Sequence, residues 1–197
     1  MRTYTIEKTV YRFEELSDAA KERAKEWYLS DDFRAECLHD SILYDAKNEF
    51  PESDIKCQFS LASCQGDGVN IYGSFYLPAI LENVREAFTE KEYKRLIYYM
   101  TSTGTETVTT APNNHYCYDD SFSICFTEDI ENDCENLRDY DGETVARFND
   151  AIREAVSAFC SKWKEYGYKY LYEIDEDEMR DICDANGYEF TEDGMIF

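Results

Sequence analysis

The sequence predicts an α+β fold: one domain over residues 1–197, with an antiparallel β-sheet packed against several helices. Three observations predict it. Apolar residues repeat at helical spacing through most of the chain, most clearly over residues 143–172. β-branched and aromatic runs occur in pairs joined by turn residues. No internal repeat and no Pro- or Ser-rich linker divides the chain, so one domain with an antiparallel sheet is the simplest layering. Residues 173–197 are set apart as a candidate small C-terminal subdomain.

The elements follow in chain order. Residues 3–13 form a strand candidate, because Thr3, Thr5, Thr9 and Val10 are β-branched and Tyr4, Tyr11 and Phe13 join them. Ser17 is an N-cap candidate, and Ala20, Ala24, Trp27 and Tyr28 follow at helical spacing. A second helix spans 32–49, with Leu38, Ile42, Ala46 and Phe50 one turn apart, Phe33 and Cys37 near the same stripe, and Pro51 ending it. Residues 55–63 and 69–77 read as two strands around Cys64-Gln65-Gly66-Asp67-Gly68. Glycine accepts positive φ there, which favours a hairpin. The competing reading, a phosphate-cradling loop, needs a helix after the loop and a nearby cation, whereas a strand follows and Asp67 is acidic.

Pro78 opens a short helix over 78–87. Another runs over 90–100, with Tyr93, Leu96, Ile97 and Met100 on one side. Residues 105–110 and 116–126 are strand candidates, with Asn113-Asn114 as the turn between them. The longest helix spans 143–172, where Val145, Phe148, Ile152, Ala155, Phe159, Trp163, Tyr166 and Tyr170 step by three or four; Gly167 is a candidate kink. Asp175 caps a last helix over 175–183, with Glu178 in capping-box position, and Asn186-Gly187 stops it. Residues 188–190 and 195–197 then form a small hairpin around Glu192-Asp193-Gly194.

Composition narrows the function. The chain carries 43 acidic against 20 basic residues, a net charge of −23. That argues against direct binding to nucleic acid and to anionic membranes, both of which need lysine and arginine at the contact. There is no secretory signal and no apolar stretch long enough to cross a bilayer, so the expected location is the cytoplasm. The 8 cysteines then read as reduced, mostly buried thiols. No C-x₂-C pair is present, so no zinc site is expected. The Asp139–Glu143 segment lacks the calcium-loop acids at Leu137 and Phe148. His39 and His115 are the only imidazoles, and neither lies in a nucleophile motif. No catalytic residue, metal or cofactor is assigned.

The acids are clustered. Residues 119–143 hold ten acids against Arg138 alone, and residues 173–193 hold ten against Arg180 alone. The candidate partner-binding residues are Asp119, Asp120, Glu128, Asp129, Glu131, Asp133, Glu135, Asp139 and Asp141 in the first window. In the second they are Asp175, Glu176, Asp177, Glu178, Asp181 and Asp184. The bland reading is a solvated face that keeps the protein soluble. The functional one is an anionic surface: carboxylates three or four residues apart on a helix lie about 5–6 Å apart, close to the spacing of phosphates along one strand. Such a surface fits the basic groove of a nucleic-acid-binding protein, and tyrosines among the acids, such as Tyr118, Tyr140 and Tyr188, would add hot-spot contacts.

Three stretches carry a family resemblance: Tyr11-Arg12-Phe13-Glu14-Glu15-Leu16-Ser17-Asp18-Ala19-Ala20-Lys21, Ser63-Cys64-Gln65-Gly66-Asp67-Gly68, and Asn186 to Gly194. They resemble small acidic proteins carried by bacteriophages and prophages, some labelled antitoxin-like. In that group a Ser usually precedes Gln-Gly-Asp-Gly, where this chain has Cys64. The resemblance brings no catalytic residues with it. It implies a phage-type inhibitor that imitates DNA, an anti-CRISPR or anti-restriction protein whose partner is a CRISPR effector or restriction enzyme. The alternatives are an antitoxin-like protein that masks a basic toxin, and a hydrolytic enzyme using carboxylates or a cysteine.

Overall fold

The computed structural model describes residues 7–112, 117, 122–125 and 141–197. The architecture is α+β, as the sequence predicts. Helices α1 (Asp18–Leu29) and α2 (Phe33–Glu49) precede strands β1 (Asp54–Ser60) and β2 (Gly68–Tyr76). Then come α3 (Leu77–Asn83), α4 (Glu90–Thr103), β3 (Thr107–Pro112), β4 (Phe122–Cys125), α5 (Gly142–Tyr172) and α6 (Glu176–Asn186). The chain divides into two compact units, one of Met1–Cys37 with Tyr168–Phe197, the other of Leu38–Gly167. The 173–197 stretch thus belongs to a unit that also includes the opposite end of the sequence.

The larger unit holds a four-stranded antiparallel meander in the order β1-β2-β3-β4. Its register pairs Cys57 with Ile71 and Phe75 with Val108. Strand periodicity puts Ile55, Cys57, Val69, Ile71, Phe75 and Val108 on one face, and all are buried. Phe50, just past the end of α2, stacks edge-on against Phe75 of β2 and Phe159 of α5, at 5.4 and 5.9 Å between ring centres. Helices therefore cover that face. α5 buries Val145, Phe148, Ile152, Val156, Phe159, Cys160, Trp163 and Gly167. Ala155, Tyr166 and Tyr170 of the predicted stripe fall beside this line rather than on it. The helix runs unbroken through Gly167. A Cβ there would come within 2.5 Å of Leu61 Cδ1 and 3.3 Å of Leu38 Cδ2, so glycine serves close packing.

The smaller unit packs Phe13, Leu16, Ala20, Ala24, Met179, Cys183 and Phe190 into its own core. Ser17 caps α1, accepting from the Ala20 amide. The predicted strand over 3–13 is, among the described residues, a single bridge from Tyr11 to Phe190, followed by a 3₁₀ turn over Phe13–Glu15. The hairpin over 188–197 is present as the Phe190–Ile196 bridge. Its Gly194 has φ +85° and sits against the Ala20 carbonyl, where any side chain would collide.

Other boundaries shift for local reasons. β1 stops at Ser60 because the chain turns there, with Ser63 at φ 56°. The helix predicted over 78–87 breaks at Val84 into α3 and a 3₁₀ turn over Arg85–Ala87. On α4 the buried residues are Leu96 and Tyr99, while Ile97 faces solvent. Phe33 is likewise exposed, off the stripe that α2 buries. The Asn113-Asn114 turn and most of the strand predicted over 116–126 lie outside the described residues.

Candidate functional site

The second acidic window can be built from its helix upward. Asp175 accepts a hydrogen bond from the Glu178 amide at 2.8 Å, capping α6, and Glu176, Asp177 and Glu178 fill the first turn, where the helix dipole favours negative charge. Met179 and Cys183, one turn apart, anchor α6 to the core of the smaller unit. Every acid of α6 is consequently exposed. Asp177, Asp181 and Asp184 follow at four and three residues, forming one stripe about 10 Å long. Asp177 and Asp181 are 82% and 78% exposed.

Two cations pair with this surface among the described residues, and Lys25 acts on Glu176 at longer range. Arg180 lies 2.8 Å from Asp177 and 3.7 Å from Asp181. Lys21 reaches Glu176 at 3.0 Å and holds its carboxyl below the usual range. Glu178 and Asp184 have no cationic partner among the described residues. The acids around α4 are placed differently. Glu90 pairs with Arg85 and Lys94, and Glu92 pairs with Arg147.

In the first window, Asp119, Asp120, Glu128, Asp129, Glu131, Asp133, Glu135 and Asp139 lie outside the described residues. Asp141 is engaged internally. It accepts from the Thr144 amide and hydroxyl at 3.2 and 3.0 Å, pairs with Arg95, and its own amide donates to the Tyr99 hydroxyl. The Thr144 bonds, aided by Arg95, lower its pKa. It caps the start of α5.

The Cys64–Gly68 loop is a hairpin turn between β1 and β2. Asp67 is buried, and its carboxylate accepts from the Ser60 hydroxyl, the Cys64 amide and the Cys64 thiol, each at 3.0 Å. The loop donors are thus turned to an internal carboxylate rather than to a phosphate. Asp67 also raises the pKa of the exposed Cys64 thiol, the opposite of what a nucleophile needs. Burial pushes Cys57 up to about 12 and Cys183 to about 11. His39 lies 3.6 Å from Asp40 on α2; His115 lies outside the described residues. Among the described residues no three His, Cys, Asp or Glu side chains gather into a metal group, and no helix is long and apolar enough to cross a membrane.

Two features of the smaller unit carry little or no sequence signal of their own. Arg34 is only 7% exposed, with its guanidinium between the rings of Tyr28 and Tyr170, at 4.6 and 4.5 Å. Its Nη2 donates to the Tyr170 carbonyl. Tyr172, at the end of α5, is exposed beside Tyr168, with ring centres 6.0 Å apart. Tyrosines at i and i+4 give only a weak sequence hint of such a pair.

Comparison of the chain with protein-family models, with curated proteins and with solved structures finds no match.

Proposed function

We propose that this chain is a non-enzymatic inhibitor whose acidic surface occupies the nucleic-acid-binding groove of a basic host-defence protein, a CRISPR effector or a restriction enzyme. The observation that supports the reading is the under-neutralised carboxylate face of α6. Fixed acids on a rigid helix act as a template of negative charge, and they lose little side-chain freedom on binding compared with a flexible tail. Charge of this kind gives fast, salt-sensitive association with a cationic groove. The choice of a defence protein as partner comes from the phage-type end motifs. The raised Cys64 thiol and the internally satisfied Asp67 favour binding over cysteine chemistry.

The experiment is a binding assay against purified CRISPR and restriction effectors, repeated from low to high salt. The inhibitor reading expects affinity to fall steeply with salt, nucleic acid to compete, and Asp177→Asn/Asp181→Asn/Asp184→Asn to weaken binding at least tenfold. Binding that ignores salt and survives the triple substitution would discard it. Growth rescue from the toxicity of a neighbouring gene product, without effector binding, would favour the antitoxin-like role.

A further inference from the structure

We infer that Asn186 is a self-modifying position: when the last turn of α6 opens, the Gly187 amide displaces ammonia from the Asn186 side chain. The chemistry is intramolecular and needs only water. Hydroxide takes the Gly187 N–H proton, and the nitrogen attacks Asn186 Cγ. The new N–Cγ bond closes a succinimide ring, the Cγ–Nδ2 bond breaks, and Nδ2 leaves as ammonia with a proton from water. Water then opens the ring at either carbonyl, leaving aspartate or isoaspartate at position 186. The net change is carboxamide plus water to carboxylic acid plus ammonia.

Sequence and geometry place the reaction here. Asn186-Gly187 is the only Asn-Gly pair in the chain, and Asn186 is exposed. Glycine matters because a β-carbon on the following residue crowds the attacking nitrogen. Nothing lies within 4 Å of where a Cβ on Gly187 would stand, so the approach is open from outside as well. Three hydrogen bonds restrain the pair. The Gly187 and Tyr188 amides both donate to the Cys183 carbonyl, and Asn186 Nδ2 donates to the Ile182 carbonyl at 2.9 Å. All three belong to the end of a helix, the part that opens most readily. The Asp-Gly pairs, which can close the same ring, are held by their own carboxylates. Asp67 is buried and bonded to Ser60 and Cys64, Asp141 to Thr144 and Arg95, and Asp193 accepts from the Thr191 hydroxyl at 2.6 Å. An ionised carboxylate is also a poorer electrophile than a carboxamide. The product weakens the turn that held the asparagine. A carboxylate cannot donate to the Ile182 carbonyl, and it sets negative charge at the negative end of α6, two residues after the exposed Asp184. The change is one-way, and it leaves the anchors Met179 and Cys183 untouched.

The test holds the full chain at 37 °C, at pH 7 and pH 9, and maps its peptides by mass spectrometry with isoaspartate resolved by chromatography. The expected result is conversion at Asn186 ahead of every other asparagine, faster at pH 9, with isoaspartate among the products. Direct hydrolysis of the side chain gives aspartate alone. An intact Asn186 at pH 9, or conversion without isoaspartate, would therefore overturn the proposal. The folded chain should react about tenfold more slowly than the chain unfolded in guanidinium chloride, as befits a helix end that opens often but stays mostly closed. Equal rates would overturn the gating by α6. After conversion, the Gly187 and Tyr188 amides should exchange about two- to fivefold faster. Gly187→Ala should slow the reaction severalfold, and the isoaspartate count in the unsubstituted chain decides the matter even where that variant is unstable.

Discussion

At the level of single residues, Asp67 sets the chemistry of Cys64. The thiol is exposed and ordinarily would be the first to react, yet it donates to a carboxylate that disfavours its ionised form. A thiol with a raised pKa holds less thiolate at any pH below that value, and the thiolate is the reactive species. Alkylation of the Cys64 peptide at pH 8, followed by mass spectrometry, should therefore be slower than that of a free thiol. Asp67→Asn should speed it severalfold, and an unchanged rate would mean that Asp67 does not control the thiol. Arg34 makes a second case. Arg34→Ala removes two ring contacts and the donor to the Tyr170 carbonyl, so urea denaturation should show a loss of about 2–3 kcal/mol. Arg34→Lys, which keeps the charge but not the stack, should lose about half as much. The Asp67 turn was legible in the sequence, because Gly-Asp-Gly between two β-rich runs specifies a hairpin. Arg34 was not, since an arginine at the start of an amphipathic helix ordinarily faces water. Its burial comes from two tyrosines, one on α1 and one on α5, far apart in sequence.

At the level of elements, periodicity located the helices well and their faces less well. The α2 set of Leu38, Ile42, Ala46 and Phe50 is buried in full. On α5 the predicted line holds at Phe159 and Trp163, but it misses the buried Val156 and Cys160 and includes Ala155, which is only half-buried. A glycine at position 167 continues the buried line, because Leu38 and Leu61 leave no room for a side chain. Hydrophobicity alone points instead to Tyr166. Over the described part of the 3–13 candidate, residues 7–13, propensity overstates the strand, since pairing needs a partner strand and there only Phe190 supplies one. For α6 the cap was readable. Asp175→Ala should lower stability by about 1 kcal/mol, read as faster amide exchange confined to the first turns of α6. Asp175→Asn should cost much less, because asparagine caps nearly as well. The exposed acid stripe was readable from the same helix, whereas most of the first window lies where the structure describes no residues.

At the level of the whole molecule, charge and burial give two opposing signatures. Burial holds the Cys57 thiol protonated up to about pH 12, against an ordinary value of 9.0. Its pKa is raised on folding, so its contribution is fully present below about pH 9. Above that the unfolded chain gives up a proton that the folded chain retains, and stability falls with rising pH until the folded thiol ionises. The slope approaches about 1.4 kcal/mol per pH unit for a thiol that stays buried. Denaturation at pH 8.5, 9.5 and 10.5 should show Cys57→Ala losing less stability with pH than the parent chain. Parallel curves would show that Cys57 does not carry the effect.

The net charge of −23 acts on folding and on binding with opposite sign. Within the folded chain the unpaired acids of α6 repel one another, and salt screens that repulsion, with a Debye length near 10 Å at 0.1 M and about 3 Å at 1 M. Raising sodium chloride from 10 mM to 0.5 M should therefore increase the melting temperature. Asp184→Asn, which removes an acid with no cationic partner among the described residues, should raise it at low salt and matter less at high salt. A cationic partner responds in reverse, since the same screening weakens its attraction to those carboxylates. A chain whose stability grows with salt while its complex dissociates is keeping charge on its surface for a partner at the expense of its own fold. A chain in which neutralising Asp184 leaves low-salt stability unchanged holds acids that are merely solvated, and α6 would then lose its claim to be the binding face.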